Sequence, residues 1–129
     1  MPSRTIVAKE LADIFKLLAH PDRVRLIEEL GAGEKDVNTL AEVTALTSTR
    51  VSQHLSLLRA HRIVDERREG RHRYYHLQQP EMAGWIVVGL DFIEGRMHNL
   101  DKSKVRAVRR IWAANANANG NTNDAGPRD

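Results

Sequence analysis

The chain contains no cysteine among its 129 residues. This absence excludes a disulfide scaffold, a thiolate metal site, a cysteine nucleophile and thiol-based redox sensing. Aromatic residues make up only 5% of the chain, so aliphatic side chains must fill the core that a hydrophobic content of 41% allows. A chain of this length is expected to form one domain of ordinary size.

Long hydrophobic runs and signal-peptide features are also absent. The longest apolar run covers residues 82–90 and is followed by Asp91, so it is far shorter than a bilayer span. Lys9 and Glu10 interrupt the N-terminal segment, which has no apolar core of the signal-peptide type. Recognisable catalytic motifs, such as a glycine-rich phosphate loop, are missing. We therefore predict a cytoplasmic protein that has no membrane partner and is not an enzyme.

The charge is slightly basic overall but is concentrated in one segment. The net charge is +3, whereas residues 47–77 alone carry a balance of +4, with seven arginines against three acidic residues. The same segment contains four of the six histidines. A local basic segment of this kind is typical of a protein that binds a polyanion such as DNA.

Apolar spacing predicts four helices in the first half of the chain. The first ends before Pro21, and Gly31 to Gly33 ends the second. A short third helix is followed by a fourth, for which Thr47 or Ser48 is a suitable N-cap. In the fourth helix the apolar residues that should face the core are Val51, Leu55 and Leu58. The other side is then left with short or polar residues.

From residue 63 the pattern changes to that of a β-hairpin. Two strand-like segments, residues 63–68 and 72–77, flank Glu69, Gly70 and Arg71, and the glycine can supply the positive φ that a tight turn needs. Two helices joined by a short turn and followed by a basic hairpin form the pattern of a winged helix-turn-helix. The fold class that the sequence predicts is therefore mostly α with a small β-hairpin wing (α+β).

The helix predicted from about residue 80 to about residue 97 is apolar almost all round. A helix of this kind cannot be covered by its own small domain, so it predicts a dimer interface. A further helix is predicted over residues 101–112. Residues 113–129 contain five asparagines among Ala and Gly, which predicts a disordered tail after a single DNA-binding and dimerisation domain over residues 1–112.

The predicted fourth helix and wing carry the candidate DNA-binding residues. A helix in the major groove needs side chains that donate and accept hydrogen bonds to base edges and are not bulky enough to hold the helix away. Gln53 suits a bidentate contact with adenine. Arginines beside this face suit phosphates, and those on the wing can reach the backbone or the minor groove. The predicted DNA-binding residues are Ser48, Thr49, Arg50, Ser52, Gln53, His54, Ser56, Arg67, Arg68, Arg71, His72 and Arg73.

Several of these segments together resemble the ArsR/SmtB family of bacterial repressors. They are LLAHPDRVRLI at 17–27, LAE at 40–42, VSQHLSLLR at 51–59, IV at 63–64, REGR at 68–71 and YYHL at 74–77. The likeness covers residues 8–95. It implies a homodimer of winged helix-turn-helix subunits that pair through their first and last helices, bind a palindromic DNA operator and release it when an effector binds.

The sequence departs from the family pattern at two places. The thiolate metal site of the family needs cysteines near the third helix, where this chain has Lys35, Asp36, Val37 and Asn38. At the end of the fourth helix His61-Arg62 replaces the usual glycine. One of these two residues must therefore accept a left-handed conformation, or the turn must differ.

A second metal site of the family lies on the last helix pair and uses Asp, Glu and His. Asp91, Glu94 and His98 share one helical face here, and such ligands suit zinc, nickel or cobalt. The spacing of the family's site is not reproduced, however. The alternative, which the residues favour, is that the two carboxylates are solvated and pair with Arg96 or Lys102.

The predicted function is that of a sequence-specific transcriptional regulator, a homodimeric repressor of a palindromic operator, with a divalent metal as one candidate effector. The alternative is a winged-helix module for DNA binding or protein interaction that has no metal effector.

Overall fold

The computed structural model describes residues 2–96 and 99–124, with side chains for residues 2–96 and 102–114. Six helices and three strands follow one another along this part of the chain. They are α1 (Pro2–Leu18), α2 (Pro21–Gly31), β1 (Lys35–Asp36), α3 (Val37–Thr44), α4 (Ser48–Ala60), β2 (Val64–Glu69), β3 (His72–Leu77), α5 (Met82–Glu94) and α6 (Asn99–Asp124). The predicted class, mostly α with a hairpin wing, is confirmed.

The helix starts follow local capping chemistry. His20 caps α2 by accepting a hydrogen bond from the backbone N–H of Asp22, and Pro21 follows at the first helical position. Asp36 caps α3, and Thr47 caps α4 by accepting from the N–H of Arg50 at 3.1 Å. The N-cap predicted for the fourth helix is therefore confirmed as Thr47.

The core is aliphatic and centres on α4. Val51, Leu55 and Leu58 are fully buried, as their spacing predicts, and they pack with other buried residues from α2, α3 and the sheet. The fully buried side chains are those of Leu26, Ile27, Leu40, Val51, Leu55 and Leu58, together with Val64 at 1% exposure. Burial of this apolar area fixes α4 against the rest of the domain and leaves its other side to solvent.

The sheet has three strands in the order β1-β3-β2, all antiparallel. The β2–β3 hairpin runs from the pair Val64–Leu77 to the pair Glu69–His72, and Gly70 adopts a φ of +62° in the turn. The predicted wing and its glycine turn are thereby confirmed. The short β1, which the apolar pattern does not reveal, adds a third strand that ties the wing to the start of α3.

Within residues 2–96 and 99–124, two residues other than glycine adopt a left-handed backbone. Ala45, with a φ of 60°, ends α3, and Arg62, also with a φ of 60°, follows α4. Arg62 is thus the residue that occupies the position where the family has glycine, whereas His61 keeps a φ of −97°. A left-handed conformation costs an L-residue about 1 kcal/mol relative to glycine.

The last helix is longer than the sequence predicts. α6 begins at Asn99 and runs to Asp124, so it includes residues 113–124, for which the Asn, Ala and Gly pattern predicted disorder. Alanine has the highest helix propensity, and four alanines lie in this stretch. The division into a domain over residues 1–112 and a separate tail stays a prediction.

Candidate nucleic-acid interface

One face of α4 is both exposed and polar. Because Val51, Leu55 and Leu58 take the buried face, the opposite side presents mainly short or uncharged polar groups to solvent, with Arg50 and Leu57 exposed beside them. These exposed residues line one open surface depression: Ser48, Thr49, Ser52, Gln53 and Ser56. No large side chain holds the helix away from a groove on this side, and each residue can donate and accept hydrogen bonds.

The wing continues this surface. Arg71, His72 and Arg73 are exposed at the hairpin turn and the start of β3. With Ser52 and Ser56 of α4 and residues at the start of α3, they line a cleft of about 270 Å³. The wing and the polar face of α4 therefore form one continuous surface. A protein that contacts base edges and the DNA backbone at the same time needs such a surface.

The wing arginines divide into two groups. Arg67 is bound by Glu34, with Nη2 2.7 Å from Oε1, and by Glu69 at 2.8 Å, and its guanidinium lies over the ring of Tyr74 at 4.8 Å. Arg68 lies 3.6 Å from Glu66. The pKa of Arg67 is held above its ordinary value, since the hydrogen bonds that it donates to Glu34 and then to Glu69 favour the charged form.

Arg50, Arg71 and Arg73 have a different environment. Across residues 2–96 and 102–114, no carboxylate lies within ion-pair distance of their guanidinium groups. Their charge is therefore available to an external anion, whereas that of Arg67 is largely neutralised within the wing. All five arginines are exposed, so charge pairing and not burial separates the two groups.

His54 departs from the prediction that grouped it with the exposed DNA-binding residues. Its side chain is only 12% exposed and faces α2, where Nδ1 accepts from Arg23 and Nε2 lies 3.5 Å from Asp22. At about 100° per residue His54 lies about 40° from Leu58 on the helix circumference, so it borders the buried face. The helical period therefore already indicated that His54 lies at the border of the buried face.

The two carboxylates of the predicted metal site are bound by arginines of α6. Glu94 accepts from Arg106 and Arg109 at 2.7 Å each, and Asp91 lies 2.6 Å from Arg109. These partners hold the pKa of Glu94 below its usual range. His98 lies outside the described residues. The sequence expected carboxylate pairing with Arg96 or Lys102, and the structure shows Arg106 and Arg109 in that role.

Sequence reasoning missed one group of polar residues. Asp22 and Arg23, at the start of α2, contact His54 of α4 across a sequence separation of about 30 residues, and His20 stacks edge-on against the same ring at 4.7 Å. His20 is also the N-cap residue of α2. Its proximity to α4 depends on the tertiary packing of α2, which no local pattern encodes.

A helix-turn-helix whose second helix exposes a polar face, beside a hairpin with unpaired arginines, defines a winged helix-turn-helix DNA-binding transcriptional regulator. The model of a family described as "Bacterial regulatory protein, arsR family" matches residues 20–66. This segment extends from the start of α2 into β2 and so contains the helix-turn-helix.

Curated relatives and solved structures agree with that match. The biofilm growth-associated repressor of Agrobacterium fabrum is 36% identical over 67% of this chain and 74% of its own length. A transcriptional repressor SmtB homolog of Synechocystis is 40% identical over 54% of this chain, and the match spans 53% of that protein. The crystal structure of Mycobacterium tuberculosis Rv0081 superposes with a TM-score of 0.62 at 33% identity, covering 67% of this chain and 88% of that one. The chain belongs to the arsR family of bacterial regulatory proteins.

Proposed function

We propose that the protein is a homodimeric transcriptional repressor that binds a palindromic DNA operator through α4 and the wing and leaves it when an effector binds. The observation that carries this proposal is the continuity between the polar face of α4 and the exposed cations Arg71 and Arg73. A surface of this kind offers base-edge contacts on the helix and phosphate contacts on the wing.

An unpartnered apolar surface supports the dimer. α1 exposes Phe15, and α5 exposes Trp85, Val88 and Phe92, the last at 73%. The rings of Phe15 and Trp85 meet edge to face at 6.2 Å, so the apolar faces of the two helices are continuous. Contiguous exposed apolar surface is typical of protein interfaces. A winged helix-turn-helix domain from Mycobacterium bovis, described as homodimeric, is 25% identical with a TM-score of 0.64, covering 74% of this chain and 92% of that one.

The palindromic operator and repression follow from different considerations. A dimer with two-fold symmetry presents two identical reading helices, which match two inverted half-sites. Relatives whose names describe repressors support negative control of transcription. The relatives are regulators by name, so we also propose that the protein performs no catalysis. Among the described residues no helix is both long and apolar enough to cross a bilayer, and we propose that the protein acts in the cytoplasm.

Gln53→Ala is expected to relax sequence preference. Gln53 lies at the centre of the exposed face of α4, where it can make a bidentate contact with a base edge. Its loss should reduce the discrimination between the preferred duplex and a variant at the contacted base pair by about 1–3 kcal/mol. Competition binding to a duplex selected from a random library, and to single-base variants of it, measures this. Unchanged discrimination would place the reading contact at another residue of α4.

The effector has two candidate forms. In one, a divalent cation binds Asp91, Glu94 and His98 through oxygen and nitrogen ligands. In the other, the protein has no metal effector. The contacts of Arg106 and Arg109 with the two carboxylates favour the second form, because a cation would have to displace both guanidinium groups.

Mobility shifts with zinc, nickel and cobalt added separately distinguish these two forms. We expect unchanged operator affinity with each metal, and the same affinity for His98→Ala as for the wild-type protein. A metal that lowers affinity in the wild-type protein but not in His98→Ala would instead establish the metal-responsive form. The double variant Arg106→Ala, Arg109→Ala serves as a second protein, since it frees both carboxylates and should create a metal response only if the site can form.

A further inference from the structure

A polar cluster joins the end of α1 and the start of α2 to α4. Arg23 donates from Nε to His54 Nδ1 at 3.2 Å and from Nη1 to the carbonyl oxygen of Leu17 at 2.8 Å. Asp22 Oδ2 lies 3.5 Å from His54 Nε2. One arginine therefore contacts both the last turn of α1 and the helix that carries the polar reading face.

These contacts fit only the neutral form of His54. Nδ1 accepts a hydrogen bond from Arg23, so in the neutral ring the proton must reside on Nε2, which faces the carboxylate of Asp22. A second proton on Nδ1 would point at the N–H of Arg23 and remove that bond. Burial is the largest cause that lowers the pKa of His54 below its ordinary value. The nearby His20 and Arg23 lower it further, and Asp22 opposes the shift.

The same cluster could be considered as a cation site. One ligand atom from each of His20, Asp22 and His54 lies within 4.8 Å of the others. A metal-binding histidine, however, uses its second ring nitrogen as a donor to a carbonyl or carboxylate. Here Nδ1 of His20 accepts from a backbone N–H, Nδ1 of His54 accepts from Arg23, and the guanidinium adds a positive charge. The hydrogen bonds therefore oppose a bound metal.

We propose that Arg23 and Asp22 are positioning residues that hold α4 through His54, and that a proton on His54 releases this hold and weakens DNA binding. The inference rests on the proposed function, in which α4 reads the operator. In the first turns of α4 the other anchors are the apolar side chains Val51 and Leu55, and its last turn is held by Leu58 and by the ion pair of Arg59 with Glu66 of β2 at 3.0 Å. Apolar contacts are not directional, whereas a satisfied polar pair fixes one orientation.

The direction of the pH effect separates this proposal from a direct DNA contact by His54. A histidine that touched phosphate would bind more tightly when protonated, because it would gain a positive charge. A positioning histidine binds DNA less tightly when protonated, because its contact with Arg23 is lost. For one proton coupled to binding, affinity changes by at most about tenfold per pH unit.

The experiment measures operator affinity at about pH 7.5 and about pH 5.0; the lower pH lies well below the ordinary histidine pKa of about 6.5 because the pKa of His54 is lowered. The probe is a labelled duplex that the wild-type protein selects from a random library at the higher pH. His54→Gln keeps an acceptor and a donor but does not titrate. The matched control is His61→Gln, since His61 is exposed near the end of the same helix and its ring lies within hydrogen-bond distance of Leu57 O at 3.1 Å.

We expect the wild-type protein and His61→Gln to lose at least fivefold more affinity on acidification than His54→Gln, within the linkage limit of about tenfold per pH unit for each His54 of the dimer. Arg23→Lys provides a second variant if His54→Gln binds poorly at both pH values. It keeps the charge but lacks the Nε donor, so it should bind more weakly than the wild-type protein at the higher pH and show a smaller loss on acidification. Circular dichroism at both pH values establishes that each variant is folded.

Identical pH profiles for the wild-type protein and both His54→Gln and Arg23→Lys would overturn the positioning role. Tighter binding by the wild-type protein at the lower pH, removed by His54→Gln, would also overturn it and assign a direct contact. If the wild-type protein selects no duplex at either pH, the proposed function fails and the positioning proposal fails with it. If the wild-type protein selects a duplex but its affinity does not change with pH, only the positioning proposal is rejected.

Discussion

Phe92→Asp is expected to convert the protein from a dimer to a monomer and to weaken operator binding by at least about 100-fold. Phe92 is 73% exposed on α5, so its replacement should leave the core of the protomer intact. A carboxylate at this position would have to be buried without a partner in the proposed interface, which costs several kcal/mol. The second half-site would then be lost, and linkage of two sites contributes about 100-fold or more to affinity.

Sedimentation measures the mass of the species, and titration of a labelled duplex containing both half-sites measures the affinity. Phe92→Leu is the matched control, because it keeps an apolar side chain and should remain dimeric. A Phe92→Asp protein that sediments as a dimer would show that α5 is not at the interface. A monomer with unchanged affinity would show instead that each protomer binds DNA independently.

Removal of Arg71 and Arg73 together is expected to flatten the salt dependence of DNA binding. Both guanidinium groups lack a carboxylate partner in the described residues and border the cleft beside α4. If each neutralises one phosphate in each protomer, a dimer loses four phosphate contacts, which at about 0.9 for each contact lowers the slope of log affinity against log salt by about 3.6. Between about 50 and about 200 mM salt the wild-type protein would then lose about 150-fold more affinity than the double variant.

Arg67→Ala provides the matched control for this experiment. Its guanidinium is engaged by Glu34 and Glu69, so it should contribute little to counterion release, and the salt slope should stay near that of the wild-type protein. The double variant of Arg71 and Arg73, in contrast to Arg67→Ala, should lose affinity equally for selected and random duplexes, because phosphate contacts carry no sequence information. Equal slopes for the wild-type protein and the double variant would mean that the turn of the wing does not contact phosphate.

The parts of the fold that depend on local patterns could be predicted from the sequence. The spacing of Val51, Leu55 and Leu58 determined which side of α4 is exposed, and Gly70 between two strand-like segments determined the wing. Pairing of the two-residue strand β1 with β3 joins residues about 40 positions apart, and so short a segment carries no period. The sequence did not predict where α1 begins; its first turns carry Ile6 and Val7, which are exposed within the protomer.

The candidate site was predictable in composition but not in its pairing. Residue type and position indicated basic side chains on the wing, yet only the fold reveals that Glu34 lies beside Arg67. His54 was assigned to the exposed face because its neighbours in sequence are polar, although its place on the helix borders Leu58. The difference between a charge that is free and a charge that is paired depends on tertiary contacts, which composition does not report.

Because α1 is almost fully exposed within the protomer, the amount of active protein should depend steeply on protomer concentration. Only Leu17 of the 17 residues of this helix is buried within the protomer. An isolated helix of this length is marginal in water, so in the proposed dimer α1 would depend on the second protomer for much of its order. The amount of active dimer then rises with the square of protomer concentration when protomers predominate. A modest change in synthesis or degradation would therefore produce a disproportionate change in operator occupancy, without any ligand.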